Sequence, residues 1–122
     1  MGLVKVMGHI GLRPDNLREV EFLVDTGSFY TFLPPNLAAA LQINFPVTTT
    51  VVLADSREAQ APVGVAYLRL ADREGGIIVA LMTVPMPLLG ASALEILGFK
   101  VNPTEETLEY SRPFGPAALS TR

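Results

Sequence analysis

The feature that most constrains the fold is an alternating apolar strand that ends in a carboxylate and a tight turn. Val20, Phe22 and Val24 alternate with two glutamates and a leucine, which is the period-2 pattern of a strand with one buried face. This pattern places Asp25 at the end of the strand, directly before Thr26-Gly27-Ser28. A carboxylate there is costly unless hydrogen bonds compensate it. The glycine N–H, which can approach closely, and the two hydroxyls are suitable donors.

The motif has two interpretations. Asp, Gly and Ser are common turn residues, so an ordinary surface turn is the simpler one. A chance Asp-Thr-Gly in a chain of this length has a likelihood of only roughly 2–3 %. A second apolar-apolar-glycine segment occurs later in the chain, at Leu88-Leu89-Gly90. It is followed by Ala93-Leu94-Glu95-Ile96-Leu97-Gly98. Together with Asp25-Thr26-Gly27-Ser28 and Thr31-Phe32-Leu33-Pro34, they resemble the retropepsin-like aspartic proteases, single-domain relatives of the retroviral proteases, over about residues 3–110.

The resemblance implies a fold and a set of roles. The fold would be mainly β, a small closed or strongly curved β-barrel with one or two short helices, and Leu88-Leu89-Gly90 would cross behind the catalytic loop. Asp25 would be the catalytic residue. Thr26 would lock two catalytic loops together, Gly27 would present backbone donors or substrate contacts, and Ser28 would bond the outer carboxylate oxygen.

A charged hairpin tip is the other candidate for substrate contact. The β-branched run from Val47 to Val52 predicts a strand, and a second apolar strand follows the tip residues Asp55, Ser56, Arg57 and Glu58. The simpler interpretation is an exposed turn. In the resembling family, a hairpin from this part of the chain folds over the cleft as a flap that holds substrate and excludes water. Many such flaps carry glycines near the tip, where this chain has Ser56 and Arg57.

The rest of the chain predicts further strands, turns and two short helices. One helix is expected from a cap at Asn36 to about Gln42. A second is expected between Ser92 and a C-cap at Gly98, with Glu95 completing a capping box. Residues 71–76 predict a turn and residues 111–122 a loose tail after a domain of residues 1–110. The remaining strands are predicted at residues 3–12, 29–33, 77–84, 99–101 and 107–110, with 77–84 buried on both faces.

A single Asp-Thr-Gly implies two chains. Peptide hydrolysis requires a base to activate water and an acid to protonate the carbonyl oxygen. Two carboxylates held close together share a proton and so supply both groups. Asp15, Asp55 and Asp72 lie in turn or hairpin-tip contexts, so we expect a C2 homodimer that places Asp25 beside its symmetry mate. Hydrophobic residues make up 49 % of the chain, and this apolar surplus suits a dimer interface.

Composition excludes several other classes of function. The 122 residues include no cysteine and only one histidine, His9, which we interpret as a surface or packing residue, so no metal site or cofactor is expected. A net charge of −3 disfavours nucleic acid as a partner. The longest apolar run, residues 77–89, contains two prolines and is too short to span a bilayer. No secretory signal pattern is present, so a cytoplasmic location is expected.

Two alternatives to the protease stay open from sequence alone. One is a catalytically silent module that keeps the retropepsin-like fold and serves dimerisation or peptide binding. The other is an unrelated small β-barrel that binds a ligand as a monomer and uses the motif as a turn. Serine and nucleotide chemistry lack their signatures, because no G-x-S-x-G, P-loop or G-x-G-x-x-G motif occurs.

Overall fold

The residues that the structure describes form nine strands and two short helices. A computed structural model describes residues 3–53 and 55–113. The strands are β1 (Lys5–Arg13), β2 (Asn16–Asp25), β3 (Thr31–Leu33), β4 (Val47–Val52), β5 (Glu58–Leu70), β6 (Arg73–Leu81), β7 (Leu88–Gly90), β8 (Phe99–Asn102) and β9 (Thr107–Tyr110). The helices are α1 (Pro35–Leu41) and α2 (Ala91–Leu97). The prediction of a mainly β chain with one or two short helices is confirmed.

Strand pairing closes the main sheet on itself. Its order is β1-β2-β7-β3-β6-β5-β4, and β1 also pairs with β5. Six of the strands therefore form a ring, while β4 lies outside it on the edge of β5. The predicted hairpins β1–β2, β4–β5 and β8–β9 are all antiparallel pairs in the structure. That this sheet forms a small barrel stays a prediction.

The short strand β7 lies beside the loop that follows Asp25. It runs parallel to β2, with Asp25 opposite Gly90, and antiparallel to β3, with Phe32 opposite Leu88. The chain between Asp25 and β3 must therefore turn across the end of β7. Strand β7 therefore lies next to the end of β2 that carries Asp25, and the role of Leu88-Leu89-Gly90 behind a catalytic loop stays a prediction.

The core lies inside the ring and beneath α2. Its largest fully buried side chains include Phe22 of β2, Ile10 of β1, Leu89 of β7 and Leu97 of α2. Phe22 has 0 % exposure, and its neighbours Val20 and Val24 pack against the same cluster, as the alternation predicts. Burial of a side chain of this size contributes about 1.5–3 kcal/mol, so the apolar face of β2 holds Asp25 on a rigid element.

Both helices begin differently from the prediction. Helix α1 has Pro34 as its N-cap and Pro35 in its first turn rather than a cap at Asn36, because proline is favoured where the first N–H groups need no helical partner. Helix α2 has Gly90 as its N-cap and no side-chain cap. The predicted capping box of Ser92 and Glu95 is therefore wrong. The predicted C-cap is confirmed, since Gly98 is left-handed with φ of 77°.

The predicted turn over residues 71–76 is also too long. Strand β5 reaches Leu70 and β6 starts at Arg73, which leaves a turn of two residues. Glycines 75 and 76 pair with Leu68 and Tyr67 within the hairpin, so they lie in a strand despite their turn propensity. Strand β6 ends at Leu81 rather than at residue 84, and Ile78 is 38 % exposed. The prediction that this strand is buried on both faces is therefore wrong.

The β8–β9 hairpin is attached to the β5–β6 hairpin through Arg73 and through the Tyr110 hydroxyl. The Arg73 side chain is buried, with its guanidinium carbon 4.0 Å from the ring centroid of Tyr110 and 5.6 Å from that of Phe99. The Tyr110 hydroxyl donates a hydrogen bond to Asp72. Beyond the hairpin, Ser111 N donates to Gly98 O at 2.7 Å. Most of the predicted tail, residues 114–122, lies outside the described residues.

The bond between Tyr110 and Asp72 predicts a pH dependence of stability. It lowers the pKa of Asp72 from 3.8 and raises the pKa of Tyr110 from 10.0. The stabilisation of the fold by ionised Asp72 is fully present above pH 3.8 and is lost as pH falls through its lowered pKa. That by Tyr110 is present below pH 10 and is lost as pH rises through its raised pKa.

Tyr110→Phe is therefore expected to destabilise the protein at neutral pH and to make little difference below the folded pKa of Asp72. Urea unfolding of wild type and variant at pH 7 and at a pH below the folded pKa of Asp72 measures the difference in unfolding free energy. A difference of equal size at both values would contradict the assignment.

Candidate active site

Asp25 is the last residue of β2, and the backbone that follows turns back towards it. The Gly27 N–H donates to Asp25 Oδ1 at 3.1 Å, and the Ser28 N–H donates to the Asp25 carbonyl oxygen at 3.1 Å. The carboxylate is half-buried, whereas Thr26 and Gly27 are exposed. A half-buried carboxylate held by one backbone N–H keeps acceptor capacity for water or a second carboxyl group.

Ser28 supports the loop but not in the expected way. Its side chain is 3 % exposed, and Oγ donates to the Tyr30 carbonyl oxygen at 2.9 Å. Among the described residues, Ser28 therefore does not make the predicted hydrogen bond to the outer carboxylate oxygen of Asp25. The Tyr30 carbonyl lies only two residues further along the chain, so the Ser28 hydroxyl hydrogen-bonds to this local acceptor.

Strand β7 holds the loop from behind. Gly90 N donates to Thr31 Oγ1 at 3.1 Å, and Thr31 is fully buried. A Cβ atom added to Gly90 would lie 2.2 Å from the Tyr30 carbonyl oxygen and 2.8 Å from that of Phe29. Only glycine permits the loop backbone to pass this close to β7.

The first turn of α2 completes this support. Ala91 N donates to Ser28 O at 2.7 Å, and Ser92 N donates to Phe29 O at 3.1 Å. The Ser92 hydroxyl donates to the same Phe29 carbonyl. The free N–H groups of a helix start need acceptors, and here they hydrogen-bond to the loop that follows Asp25. Every residue from Asp25 to Thr31 except Thr26 is thus tied by a hydrogen bond to the loop itself, to β7 or to α2.

A mainly apolar cavity of about 400 Å³ lies beside Asp25. Its described lining residues come from the start of the chain, the loop and the β8–β9 turn: Leu3, Val4, Val24, Asp25, Thr26, Val101 and Pro103. Asp25 is the one ionisable side chain among them. Leu3 is 69 % exposed, so apolar surface lies beside the carboxylate on the open side of the cavity.

The predicted flap tip does not line this cavity. Arg57 Nε lies 2.6 Å from Asp55 Oδ2, and the Arg57 N–H donates to Oδ1 of the same carboxylate. These bonds lower the pKa of Asp55. Ser56 is in the left-handed region with φ of 70°, a conformation that glycine adopts more readily. Neither these three residues nor Glu58 is among the described residues that line the cavity at Asp25.

Sequence reasoning missed the loop supports that come from distant elements. The sequence predicts a strand for Thr31, which also lies in the segment that carries the resemblance, and a helix cap for Ser92, but it gives neither residue a role in supporting the loop. The signal for Thr31 was a polar residue at the start of a short apolar strand, where full burial demands a hydrogen-bond partner. Nothing local to Ser92 indicates that its acceptor is Phe29, because that carbonyl lies 63 residues earlier in the chain.

Comparison with known proteins agrees with this geometry. A family model described as aspartyl protease matches residues 8–101, which include Asp25, the loop after it and Gly90. The chain therefore belongs to the aspartyl protease family. No curated protein matches it significantly.

Two further observations concern groups that the site could hold or contact. Within residues 3–53 and 55–113, no cluster of three or more His, Asp or Glu side chains is arranged to hold a metal ion. In the same ranges, no helix has the length and apolar character that crossing a membrane requires.

Proposed function

We propose that this protein is a retropepsin-like aspartic endopeptidase whose dyad consists of Asp25 and the same residue of a second copy. The observation that carries the proposal is the position of Asp25 at the end of β2, held by the Gly27 N–H and facing an apolar cavity without a second carboxylate in its described lining. One carboxylate cannot act as base and acid at once. A two-fold axis beside the loop would supply the second.

The proposed mechanism uses the two carboxyl groups in turn. The ionised Asp25 takes a proton from a water molecule, whose oxygen attacks the peptide carbonyl carbon, while the protonated partner carboxyl donates its proton to the carbonyl oxygen. As the C–N bond of the resulting tetrahedral diol breaks, the Asp25 carboxyl donates its proton to the leaving nitrogen, and the ionised partner carboxylate takes a proton from one diol hydroxyl, whose oxygen becomes the carbonyl oxygen of the product. The products are one carboxyl terminus and one amine, with no metal and no covalent intermediate.

The exposed residues around Asp25 support an interface at this position. Thr26 lies exposed next to the carboxylate, where we propose that it meets its counterpart across the axis. Leu3 and Val101 add apolar surface on the same side, and burying such surface favours association. In the dimer we propose a small barrel in each protomer, with the β4–β5 hairpin of residues 47–70 as the flap.

The proposed substrate is an extended polypeptide with apolar side chains on both sides of the scissile bond. Phe29, directly after the catalytic loop, is 56 % exposed and packs edge-on against Tyr30 with ring centroids 5.2 Å apart. An exposed aromatic ring in the loop that follows Asp25 supports contact with apolar substrate side chains. Asp55, Ser56, Arg57 and Glu58 would contact the substrate from the flap.

The test is cleavage of a quenched peptide library between about pH 4 and pH 7, the range in which a shared-proton dyad titrates. We expect cleavage whose rate rises more steeply than the protein concentration near the dissociation constant of the dimer, because only dimers are active. Analytical ultracentrifugation at the same concentrations supplies the dimer fraction. A rate proportional to total protein while monomer predominates would refute the dimeric site.

The second candidate is a catalytically silent module that binds an extended peptide. Strand β4 favours it, because among the described strands it pairs only with β5 and leaves its other edge open. Such an edge can accept an added strand. A folded dimer that cleaves no peptide at any pH tested, yet binds members of the library, would favour this candidate.

A further inference from the structure

Helix α2 is held at both ends by residues far from it in sequence. At its start, Ala91 and Ser92 donate to the carbonyl oxygens of Ser28 and Phe29 in the catalytic loop. At its end, two arginine side chains donate to the carbonyl oxygens of the last helical residues and of the C-cap Gly98. A helix of seven residues is too short to be stable by itself, so its position depends on these end contacts together with the burial of Ala93, Leu94 and Leu97 in the core.

The two arginines share the helix end between them. Arg112 Nη2 donates to Glu95 O at 2.9 Å and to Ile96 O at 2.8 Å. Arg73 Nη1 donates to Leu97 O at 3.0 Å and to Gly98 O at 2.9 Å. Four successive carbonyl oxygens thus accept from guanidinium groups, and a positive charge at this end also interacts favourably with the helix dipole.

Gly98 brings the two side chains close together. Its φ of 77° is the left-handed conformation that glycine adopts readily. A Cβ at this position would lie 2.6 Å from Arg73 Nη1 and 3.2 Å from Arg112 Cγ. The end of α2 is therefore enclosed by both arginines, with little free space around it.

The two arginines differ in what else they do. Arg73 is 7 % exposed and stacks with Tyr110, so it is also part of the packing between β6 and the β8–β9 hairpin. Arg112 is exposed, and its described hydrogen bonds go to the end of α2 and to the neighbouring Pro113 carbonyl oxygen. It also lies beyond residues 8–101, the part of the chain that matches the family model.

We infer that Arg112 is a positioning residue for Asp25, acting through α2 and the loop that follows the carboxylate. Its guanidinium fixes the end of the helix, and the first turn of the helix fixes the carbonyl groups of Ser28 and Phe29. The Ser28 N–H in turn bonds the Asp25 carbonyl oxygen. A small displacement of a catalytic group lowers the rate of the chemical step more than it lowers substrate binding. The inference rests on the proposed endopeptidase function.

The test compares Arg112→Ala and Arg112→Lys with Arg13→Ala, an exposed arginine whose described ion pair is with Asp15 at the β1–β2 turn. We expect Arg112→Ala to lower kcat about tenfold with little change in KM, and Arg112→Lys to restore part of the loss, since an ammonium group can still donate to carbonyls. We also expect the Ala91 and Ser92 amides to exchange about tenfold faster with solvent in Arg112→Ala, because their end of the helix opens more often.

Amide exchange separates this inference from the proposed function. If the wild type cleaves nothing, the proposed function fails, and faster exchange at Ala91 and Ser92 still supports the coupling from Arg112 to the loop. Two results would overturn the inference. In the first, the Ala91 and Ser92 amides of Arg112→Ala exchange no faster than those of Arg13→Ala. In the second, they exchange faster while kcat of the active enzyme is unchanged. Should Arg112→Ala fail to fold, Arg112→Gln carries the same comparison, because it keeps much of the stem and one amide donor.

Discussion

Asp25→Asn is expected to lower peptide cleavage by about 10²- to 10⁴-fold while leaving the fold intact. The amide can neither take a proton from water nor donate one as a carboxyl group does, and general acid–base catalysis contributes about this factor. The amide oxygen of Asn can still accept the Gly27 N–H that Asp25 Oδ1 accepts in the wild type. Initial rates on the best library peptide, at a concentration where the protein is dimeric, measure the loss.

Asp15→Asn is the matched control for this variant. Asp15 is an exposed carboxylate in the β1–β2 turn, 3.6 Å from Arg13, and an exposed ion pair of this kind contributes little to stability. Its removal changes the net charge as Asp25→Asn does, without touching the proposed dyad. Equal activity of the two variants would show that Asp25 has no catalytic role.

Gly90→Ala is expected to destabilise the fold by about 3 kcal/mol or more. The new Cβ would lie 2.2 Å from the Tyr30 carbonyl oxygen, and the obstacle is backbone, which cannot rotate away as a side chain can. Relieving the contact must separate β7 from the loop, which also strains the bond from Gly90 N to Thr31 Oγ1. Urea unfolding followed by circular dichroism measures the change in unfolding free energy.

Gly76→Ala provides the comparison within the same protein. A Cβ at Gly76 in β6 would have its nearest neighbour, Val65 Cγ1, at 3.9 Å, which is an ordinary contact distance. We expect this variant to be neutral or more stable by about 0.5 kcal/mol, because alanine restricts the unfolded chain. If both substitutions have the same effect, the close crossing of β7 behind the loop is wrong.

The strands and the position of Asp25 were predictable because their signals are local. The alternation of Val20, Phe22 and Val24 fixes which face of β2 is buried, and the register then places Asp25 at the strand end. The C-cap Gly98 was predictable for the same reason, since a glycine after a short apolar helix favours the left-handed conformation.

The supports of the site were not predictable because they depend on tertiary contacts. Ser92 and Glu95 have the sequence of a capping box, yet Gly90 caps the helix and the Ser92 hydroxyl bonds to Phe29. A buried acceptor brought in by the fold outweighs the local motif. The positions of Arg73 and Arg112 at the end of α2 likewise follow from the closure of the chain and from no pattern around them.

The measurement that tests the central proposal most directly is activity in mixtures of wild type and Asp25→Asn at constant total protein. If subunits exchange freely and the dyad needs Asp25 from both chains, mixed dimers are inactive. The rate should then fall as the square of the wild-type fraction, to about one quarter in an equal mixture. A linear decrease, to one half in the equal mixture, would mean that each chain acts through its own Asp25 and would contradict the shared dyad.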